Sequence, residues 1–162
     1  MEPTYIGNKK LLNVPKVAFL SSRSISSAAV LKCYDWATEM RNKGVCVISG
    51  FHSGIEKDVL HFLLKGTQPV ILVLGRTLYK NMPDELIKPL EEGRLLIVSV
   101  VSTPRQSEET ARLRNRYIMD NADEVVFGSL DVAGNLYPIY EEIKENKKHI
   151  LILGETISLE KW

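Results

Sequence analysis

The sequence lacks the glycine-rich signatures of the common nucleotide-binding enzymes. No G-x-G-x-x-G follows its first apolar segment, and no G-x-x-x-x-G-K-[ST] occurs anywhere in its 162 residues. The first pattern is typical of dinucleotide-binding folds and the second of P-loop nucleotide hydrolases. Both classes lose their usual sequence support, and nothing in the chain predicts a cofactor.

Cysteine and histidine are scarce. The two cysteines, Cys33 and Cys46, are too few for a disulfide framework, so we expect free thiols in a reducing compartment. The three histidines show no H-x-x-x-H or Cys/His spacing, which argues against a metal site. No G-x-S-x-G elbow marks a nucleophilic serine.

Neither an excess of charge nor a long apolar segment is present. With 21 basic and 20 acidic residues the formal net charge is +1, so a nucleic-acid site would have to be a local patch. No stretch approaches the roughly 18 apolar residues of a transmembrane helix, and the first ten residues have no signal-peptide core. We therefore expect a cytoplasmic protein without a membrane partner.

Short apolar runs alternate with amphipathic stretches along the chain. The composition, 44% hydrophobic and 25% charged, is that of a globular protein, and the length predicts one domain over residues 1–162. After a polar lead-in, the predicted strands are Lys16–Leu20, Val45–Ile48, Val70–Leu74, Leu95–Val100, Glu124–Phe127 and His149–Leu153.

Predicted helices lie between these strands. They run from Ser27 to Lys43, from Ser53-Gly54 to Gly66, from Pro83 to a kink or end at Pro89, from a capping box at Thr103–Gln106 to about Asn121, and over Pro138–Asn146. Such alternation predicts an α/β fold, a Rossmann-like three-layer sandwich with a mostly parallel sheet.

The turn between the second strand and its helix is suited to an anion. Ser49-Gly50 ends the strand and Ser53-Gly54 begins the helix, so the first N–H groups of the helix would face whatever lies in the turn. A βα turn without a ligand is the alternative. Ligands of such sheets bind at the carboxyl ends of the strands.

Arginine is concentrated near the fourth predicted helix. Arg114 and Arg116 flank Asn115, and a guanidinium can donate two hydrogen bonds to one phosphate. We assign these two arginines, with Arg23 after the first predicted strand, to phosphate binding. Arg105 and Arg112 are assigned to a solvated face, and Glu56 to the dipole of its helix rather than to catalysis.

These turns together resemble the Rossmann-like core of the DNA-processing protein A (DprA, also called Smf) family, within the SLOG group of nucleotide-ligand domains. The resemblance extends from about Lys16 to Leu153. It rests on Ser21-Ser22-Arg23, Ser49-Gly50-Phe51-His52-Ser53-Gly54-Ile55-Glu56, Val73-Leu74-Gly75, Arg114-Asn115-Arg116 and Ala133-Gly134. Ser21 departs from a family glycine, Glu56 from an aspartate and Ala133 from a serine.

The resemblance implies a non-catalytic binding domain for single-stranded DNA phosphates or a small phosphorylated nucleotide. It further implies a role in DNA processing during transformation, a homodimer and a recombinase partner. The implied binding residues, with those selected above, are Ser22, Arg23, Ser49, Gly50, Ser53, Gly54, Arg114, Asn115, Arg116 and Gly134.

Two other functions remain open. One is an enzyme similar to the SLOG-type nucleoside-monophosphate phosphoribohydrolases. Their late loop carries Pro-Gly-Gly-x-Gly-Thr-x-x-Glu, whereas the corresponding loop Gly128–Asn135 has neither the paired glycines nor the glutamate. The other is an interaction subunit with a vestigial pocket, which predicts no ligand affinity.

Overall fold

A seven-stranded sheet forms the centre of the protein. The computed structural model describes residues 2–146, 149–154 and 156–157. The strands, in chain order, are β1 Thr4–Gly7, β2 Lys16–Leu20, β3 Cys46–Ser49, β4 Val70–Leu74, β5 Leu95–Ser99, β6 Glu124–Phe127, β7 Leu130–Asp131, β8 His149–Ile152 and β9 Thr156–Ile157. The last pairing, β7 with β9, forms a separate two-stranded sheet.

The strand order of the large sheet creates a crevice. The order is β1-β5-β4-β3-β2-β6-β8, and every pair is parallel except β1 on β5. From β2 the chain continues through β3, β4 and β5 on one side and then crosses to β6 on the other. Connections diverge at such a switch point, so the carboxyl ends of β2 and β6 border an open cleft.

Helices cover both faces of the sheet. α1 Ser27–Lys43, α2 Gly54–Leu64 and α3 Asp84–Glu91 pack on one face, and α4 Glu108–Asn121 and α5 Leu136–Ile143 on the other. Short 3-10 turns, Lys9–Asn13 and Lys144–Asn146, complete the described helices. The predicted Rossmann-like sandwich is confirmed.

Side chains of the central strands alternate between two cores. Phe19 of β2 points toward α1, where its ring stacks on Trp36 with the centroids 5.1 Å apart. Leu20, the next residue, belongs to the opposite core with α4 and α5. Alternation of this kind buries every residue of β2, which is why Val17–Leu20 forms an unbroken apolar run after Lys16.

The two cysteines lie on opposite faces of the sheet. Cys33 belongs to the core under α1 and Cys46 to the core under α4. Both are free thiols, as predicted. Burial raises the pKa of Cys33 to about 11 and that of Cys46 to about 12, so neither forms a reactive thiolate at neutral pH.

Three element predictions are wrong in detail. The lead-in contains β1, which forms because Tyr5 and Ile6 pair with the distant β5. Thr103–Gln106 does not cap α4, because the Thr103 hydroxyl bonds within its own loop and the capping box is made by Ser107 with Thr110. α5 begins at Leu136 and not at Pro138, since proline is tolerated in a first turn, where no helical partner awaits its N–H.

Other boundaries follow the sequence closely. α1 ends at Lys43 and is capped by Gly44, whose φ of +69° is the left-handed conformation that favours glycine. Pro89 lies inside α3, which ends two residues later at Glu91. Across the described residues, no helix combines the length and apolar character needed to span a membrane.

Candidate phosphate-binding site

A cavity of about 370 Å³ occupies the crevice between the ends of β2 and β6. The loop after β2, the start of α2, the inner side of α4 and the β7–α5 loop form its wall. Six residues of the predicted binding set line it, namely Ser22, Arg23, Ser53, Arg114, Asn115 and Gly134.

Arg114 is a buried cation on this wall. The residue is 7% exposed and forms no ion pair with any described carboxylate. Its Nε and Nη2 donate to Asn115 Oδ1 at 3.2 and 3.1 Å, and its Nη1 donates to Gln106 Oε1 at 2.7 Å. Neutral acceptors therefore hold three of its five N–H groups, and two remain for a ligand.

Burial lowers the pKa of Arg114, although the negative charge of Glu56 opposes the shift. A charge that is taken out of water without a paired counter-ion carries a desolvation cost on the order of several kcal/mol. An anion in the cavity would add a counter-charge in contact with the guanidinium. We therefore interpret Arg114 as a candidate anion-binding group.

Gly50 provides the space that the Arg114 side chain occupies. A Cβ atom built on Gly50 would lie 2.7 Å from Nε and 2.8 Å from Cδ of Arg114. Any larger residue would push the guanidinium aside. Gly50 therefore contributes to the site by positioning Arg114 and not by lining the cavity.

Glu56 fastens two segments of the wall together. Its Oε2 accepts the backbone N–H of Ser21 at 3.0 Å, and its Oε1 accepts those of His52 at 2.9 Å and Ser53 at 3.3 Å. The Ser53 hydroxyl in return accepts the N–H of Glu56. This capping box anchors the loop after β2 to the start of α2.

The prediction that the turn before α2 offers free N–H groups is wrong for three residues. The N–H groups of His52 and Ser53 are bound to Glu56, and that of Phe51 donates to the Ser49 hydroxyl at 3.1 Å. Phe51 has a φ of +44°, a left-handed conformation that is rare for a residue with a side chain. The turn is therefore stabilised by its own hydrogen bonds, and these three N–H groups are not free to bind an anion.

Serine hydroxyls join the β2 loop to the loop after β6. Ser22 Oγ accepts the N–H of Asp131 at 2.8 Å, and Ser129 Oγ donates to the carbonyl of Ser24 at 2.7 Å. α5 begins beside this junction without a side-chain cap. The first N–H groups of α5 thus add partial positive charge at the cavity.

Charges of both signs surround the cavity. Arg23 is exposed and pairs with no described carboxylate, whereas Glu108 and Asp131 are acidic wall residues. Partial desolvation and the nearby Arg114 lower the pKa of His52, so its imidazole is neutral near pH 7. The positive charge is therefore concentrated at two arginines.

Four residues of the predicted set lie off the cavity wall, namely Ser49, Gly50, Gly54 and Arg116. Arg116 follows Arg114 by two positions, which is roughly 200° around a helix. Its guanidinium forms a bidentate ion pair with Glu142 of α5 at 2.7 and 2.8 Å. Arg116 is thus held on the outer surface and does not join the cluster.

The sequence analysis did not select several other wall residues, among them Gln106, Glu108, Asp131 and Asn135. Gln106 and Glu108 follow β5, and Asp131 and Asn135 follow β6. Polar residues after the carboxyl ends of parallel strands are the signal that could have identified them. Among the described residues, no group of three or more His, Cys, Asp or Glu side chains could hold a metal ion.

Solved structures share this fold at low sequence identity. One is DNA processing protein A from Helicobacter pylori, whose structure describes its single-stranded DNA binding mode. It is 19% identical with a TM-score of 0.75, and the match covers 93% of this chain and 70% of that one. The Streptococcus pneumoniae protein is 20% identical with a TM-score of 0.76, over 93% and 54%. A molybdenum cofactor binding protein from Rippkaea orientalis is 13% identical with a TM-score of 0.59, over 85% and 75%.

Sequence comparison identifies the family. Among curated protein sequences, none matches this chain. The profile of one family, described as DNA recombination-mediator protein A, matches residues 4–156, which confirms the resemblance found in the turns. The chain belongs to the DNA recombination-mediator protein A family.

Proposed function

We propose that this chain is a non-catalytic binding domain for the phosphates of single-stranded DNA, acting in DNA processing. The observation that carries the proposal is Arg114, which is buried, lacks a carboxylate partner among the described residues and lines the cleft. A phosphate in the cleft would accept hydrogen bonds from Arg114, with Arg23 at the rim and the amide of Asn115 beside it.

The family supports this ligand class. The Helicobacter pylori relative is described by its single-stranded DNA binding, and this chain shares its fold. The chain spans 70% and 54% of the two DNA processing proteins it matches, so the proposal concerns the part with this fold. We propose that residues 1–162 form one domain of this kind.

The shape of the site favours a single strand over a duplex. Arg114 lies within a crevice and is 7% exposed, so we expect a flexible strand to bring a phosphate to it more readily than a rigid duplex. A single strand has a backbone flexible enough to enter. Glu108 and Asp131 at the wall would also weaken the nonspecific attraction to a dense line of phosphates.

Fluorescence polarisation with a labelled oligo-dT strand at low and moderate salt tests this function. We expect salt-sensitive binding, with a slope of log affinity against log salt of about −0.7 for each phosphate held, and poor competition by duplex DNA. Equal competition by duplex DNA, or no binding, would contradict the proposal. Complete competition by a mononucleotide would instead identify a small phosphorylated nucleotide as the ligand.

The enzyme alternative is not favoured. Both oxygens of Glu56, the buried carboxylate at the start of α2, already accept backbone N–H groups, so Glu56 holds the wall together and is not presented to a substrate as a general base. A turnover assay on nucleoside monophosphates is expected to give no product above the blank.

We also propose a homodimer, a recombinase as protein partner and a cytoplasmic location. The family description as a recombination mediator supports the recombinase. The edge strand β8 supports the dimer, because its Leu151 is 51% exposed and open edges invite pairing. Light scattering should give twice the mass of the chain, and Leu151→Arg should halve it if β8 forms the contact.

A further inference from the structure

A second cavity of about 510 Å³ lies beside the first, along the same edge of the sheet. Its wall includes Phe51, Arg76, Tyr79 and Pro83, between α2, α3 and the loop after β4. His52 and Gln106 belong to the walls of both cavities. Because β4, β3 and β2 are neighbours in the sheet, the two cavities form one groove across the carboxyl ends of the strands.

An arginine–tyrosine pair stands in this second cavity. The guanidinium carbon of Arg76 lies 5.4 Å from the centroid of the Tyr79 ring. Arg76 donates from Nε to the Thr77 carbonyl at 3.2 Å, and it forms no ion pair with the described carboxylates. Its two terminal nitrogens are therefore available to a ligand.

The loop that carries the pair is fixed to its neighbour. The Ser99 hydroxyl donates to the carbonyl of Arg76, and the N–H of Thr77 donates to the carbonyl of Thr103 at 2.9 Å. Binding groups that are already ordered lose little conformational entropy when a ligand arrives.

The two cavities offer complementary groups. No Phe, Tyr or Trp lines the first cavity within the described residues, whereas Phe51 and Tyr79 line the second. Phe51 is buried in the core, and Tyr79 is partly exposed. Proteins that hold single strands without sequence preference combine cationic contacts to the backbone with aromatic surfaces on which bases stack. The first cavity provides the cation and the second the stacking surface.

We propose that the second cavity is a nucleobase subsite, which holds the base of the nucleotide adjoining the one whose phosphate Arg114 binds. The base stacks on the Arg76–Tyr79 pair, and both members of such a pair can stack on bases. The terminal nitrogens of Arg76 contact the next phosphate of the strand. The inference rests on the proposed single-strand function and extends it from one phosphate to a tract of nucleotides.

Three variants test the subsite by fluorescence polarisation with oligo-dT. Tyr79→Ala should weaken binding about tenfold, as expected for the loss of one stacked base, and Tyr79→Phe should retain binding because the ring remains. Arg76→Ala should weaken binding and make the salt slope shallower by about 0.7. Arg112→Ala, an exposed arginine of α4 outside both cavities, is the charge-matched control.

A second measurement reports stacking directly. Oligo-dT strands that carry 2-aminopurine at successive single positions should include one whose fluorescence is quenched on binding. The quenching should disappear in Tyr79→Ala and persist in Tyr79→Phe. Circular dichroism and melting curves establish whether each variant is folded. If Tyr79→Ala does not fold, Tyr79→Phe and Arg76→Ala still test the subsite.

The outcomes separate this inference from the function on which it rests. If wild-type protein binds oligo-dT but Arg76→Ala and Tyr79→Ala stay within about twofold of it, the subsite is refuted and the phosphate site stands. If wild-type protein does not bind oligo-dT, both are refuted. A tenfold loss in Tyr79→Ala with retention in Tyr79→Phe supports the subsite.

Discussion

Arg114 and Arg116 occupy the same helix two positions apart, yet their surroundings are opposite. Arg114 is buried in the cleft, and its hydrogen bonds go to the neutral side chains of Asn115 and Gln106. The side chain of Arg116 is 45% exposed and forms a bidentate pair with Glu142. The same residue type thus has no ion pair in the cleft and a bidentate ion pair on the surface.

The energetics of the two arginines differ accordingly. An exposed ion pair contributes little to stability because water screens it, whereas a buried charge without a direct ion pair carries a desolvation cost that a ligand can offset. Whether an arginine is available to bind phosphate therefore depends on which side of the helix it occupies and on whether a carboxylate pairs with it. The Arg-Asn-Arg motif alone specifies neither.

The largest expected effect comes from removing Arg114, with the removal of Arg116 as its control. Arg114→Ala should lower oligo-dT affinity by roughly ten- to a hundredfold, because hydrogen bonds to a charged group contribute about 1.5–3 kcal/mol. Arg116→Ala should change it less than twofold. Polarisation titrations on the two folded variants measure both, and equal losses would show that the structural distinction has no functional meaning.

Glu56→Gln tests what holds the wall around Arg114. An amide in place of the carboxylate would direct N–H groups at one of the backbone donors, so the free energy of unfolding should fall by about 1–3 kcal/mol. Urea unfolding measures this value. Glu142→Gln, at the exposed partner of Arg116, is the matched control and should leave the free energy of unfolding nearly unchanged.

An unchanged unfolding midpoint in Glu56→Gln, with altered turnover of a nucleotide, would restore the enzyme alternative.

Gly50→Ala should displace the Arg114 guanidinium from its position in the cleft. The added Cβ would lie 2.7 Å from Arg114 Nε, and overpacking of this kind costs about 1–3 kcal/mol. We expect oligo-dT affinity to fall several-fold. Gly54→Ala is the control, because a Cβ at Gly54 meets nothing within 4 Å, and affinity losses of the same size in both variants would exclude the steric explanation.

His52 should give the smallest effect, in the pH dependence of binding. Its pKa is lowered by burial and by Arg114, and a bound phosphodiester would stabilise the imidazolium and raise the pKa again. Binding then takes up a proton, so affinity should rise a few-fold as pH falls from about 7.5 to about 5.5. An oligo-dT without terminal phosphates keeps the charge of the strand constant over this range.

The control for this pH profile is His52→Gln, which should flatten it. In the protein without a ligand, a fall in pH has the opposite consequence, because it lowers stability. Because the folded-state pKa lies below the unfolded value of about 6.5, the contribution of His52 to stability is present above that pH and is lost as pH falls through the folded-state pKa. A profile that does not differ between wild type and His52→Gln would remove His52 from the site.

The fold was largely predictable because its strands are buried on both faces. Runs such as Val70–Leu74 and Leu95–Ser99 are unbroken and apolar, and Gly44 is a clear helix end. β1 was missed because only its pairing with β5 makes it a strand. Local sequence carries little information about such long-range pairing.

The position of the site was predictable from the sequence, but the contacts that hold its residues in place were not. The carboxyl ends of the strands located the cleft, and Arg23, Arg114 and Asn115 do line it. The roles of Gly50 and Glu56 depend on contacts with Arg114 and Ser21, which are far away in the chain. Arg116 was assigned to the cleft because its pairing with Glu142 of another helix is invisible in the sequence.

The burial of both thiols makes the protein convenient for site-specific labelling. Cys33 and Cys46, with pKa values raised to about 11 and about 12, should not react with a maleimide dye while the protein is folded. Ala133 is exposed on the cavity wall, so Ala133→Cys would provide a single attachment point in the otherwise native chain. An environment-sensitive fluorophore there would report the arrival of a strand without any need to replace the native cysteines.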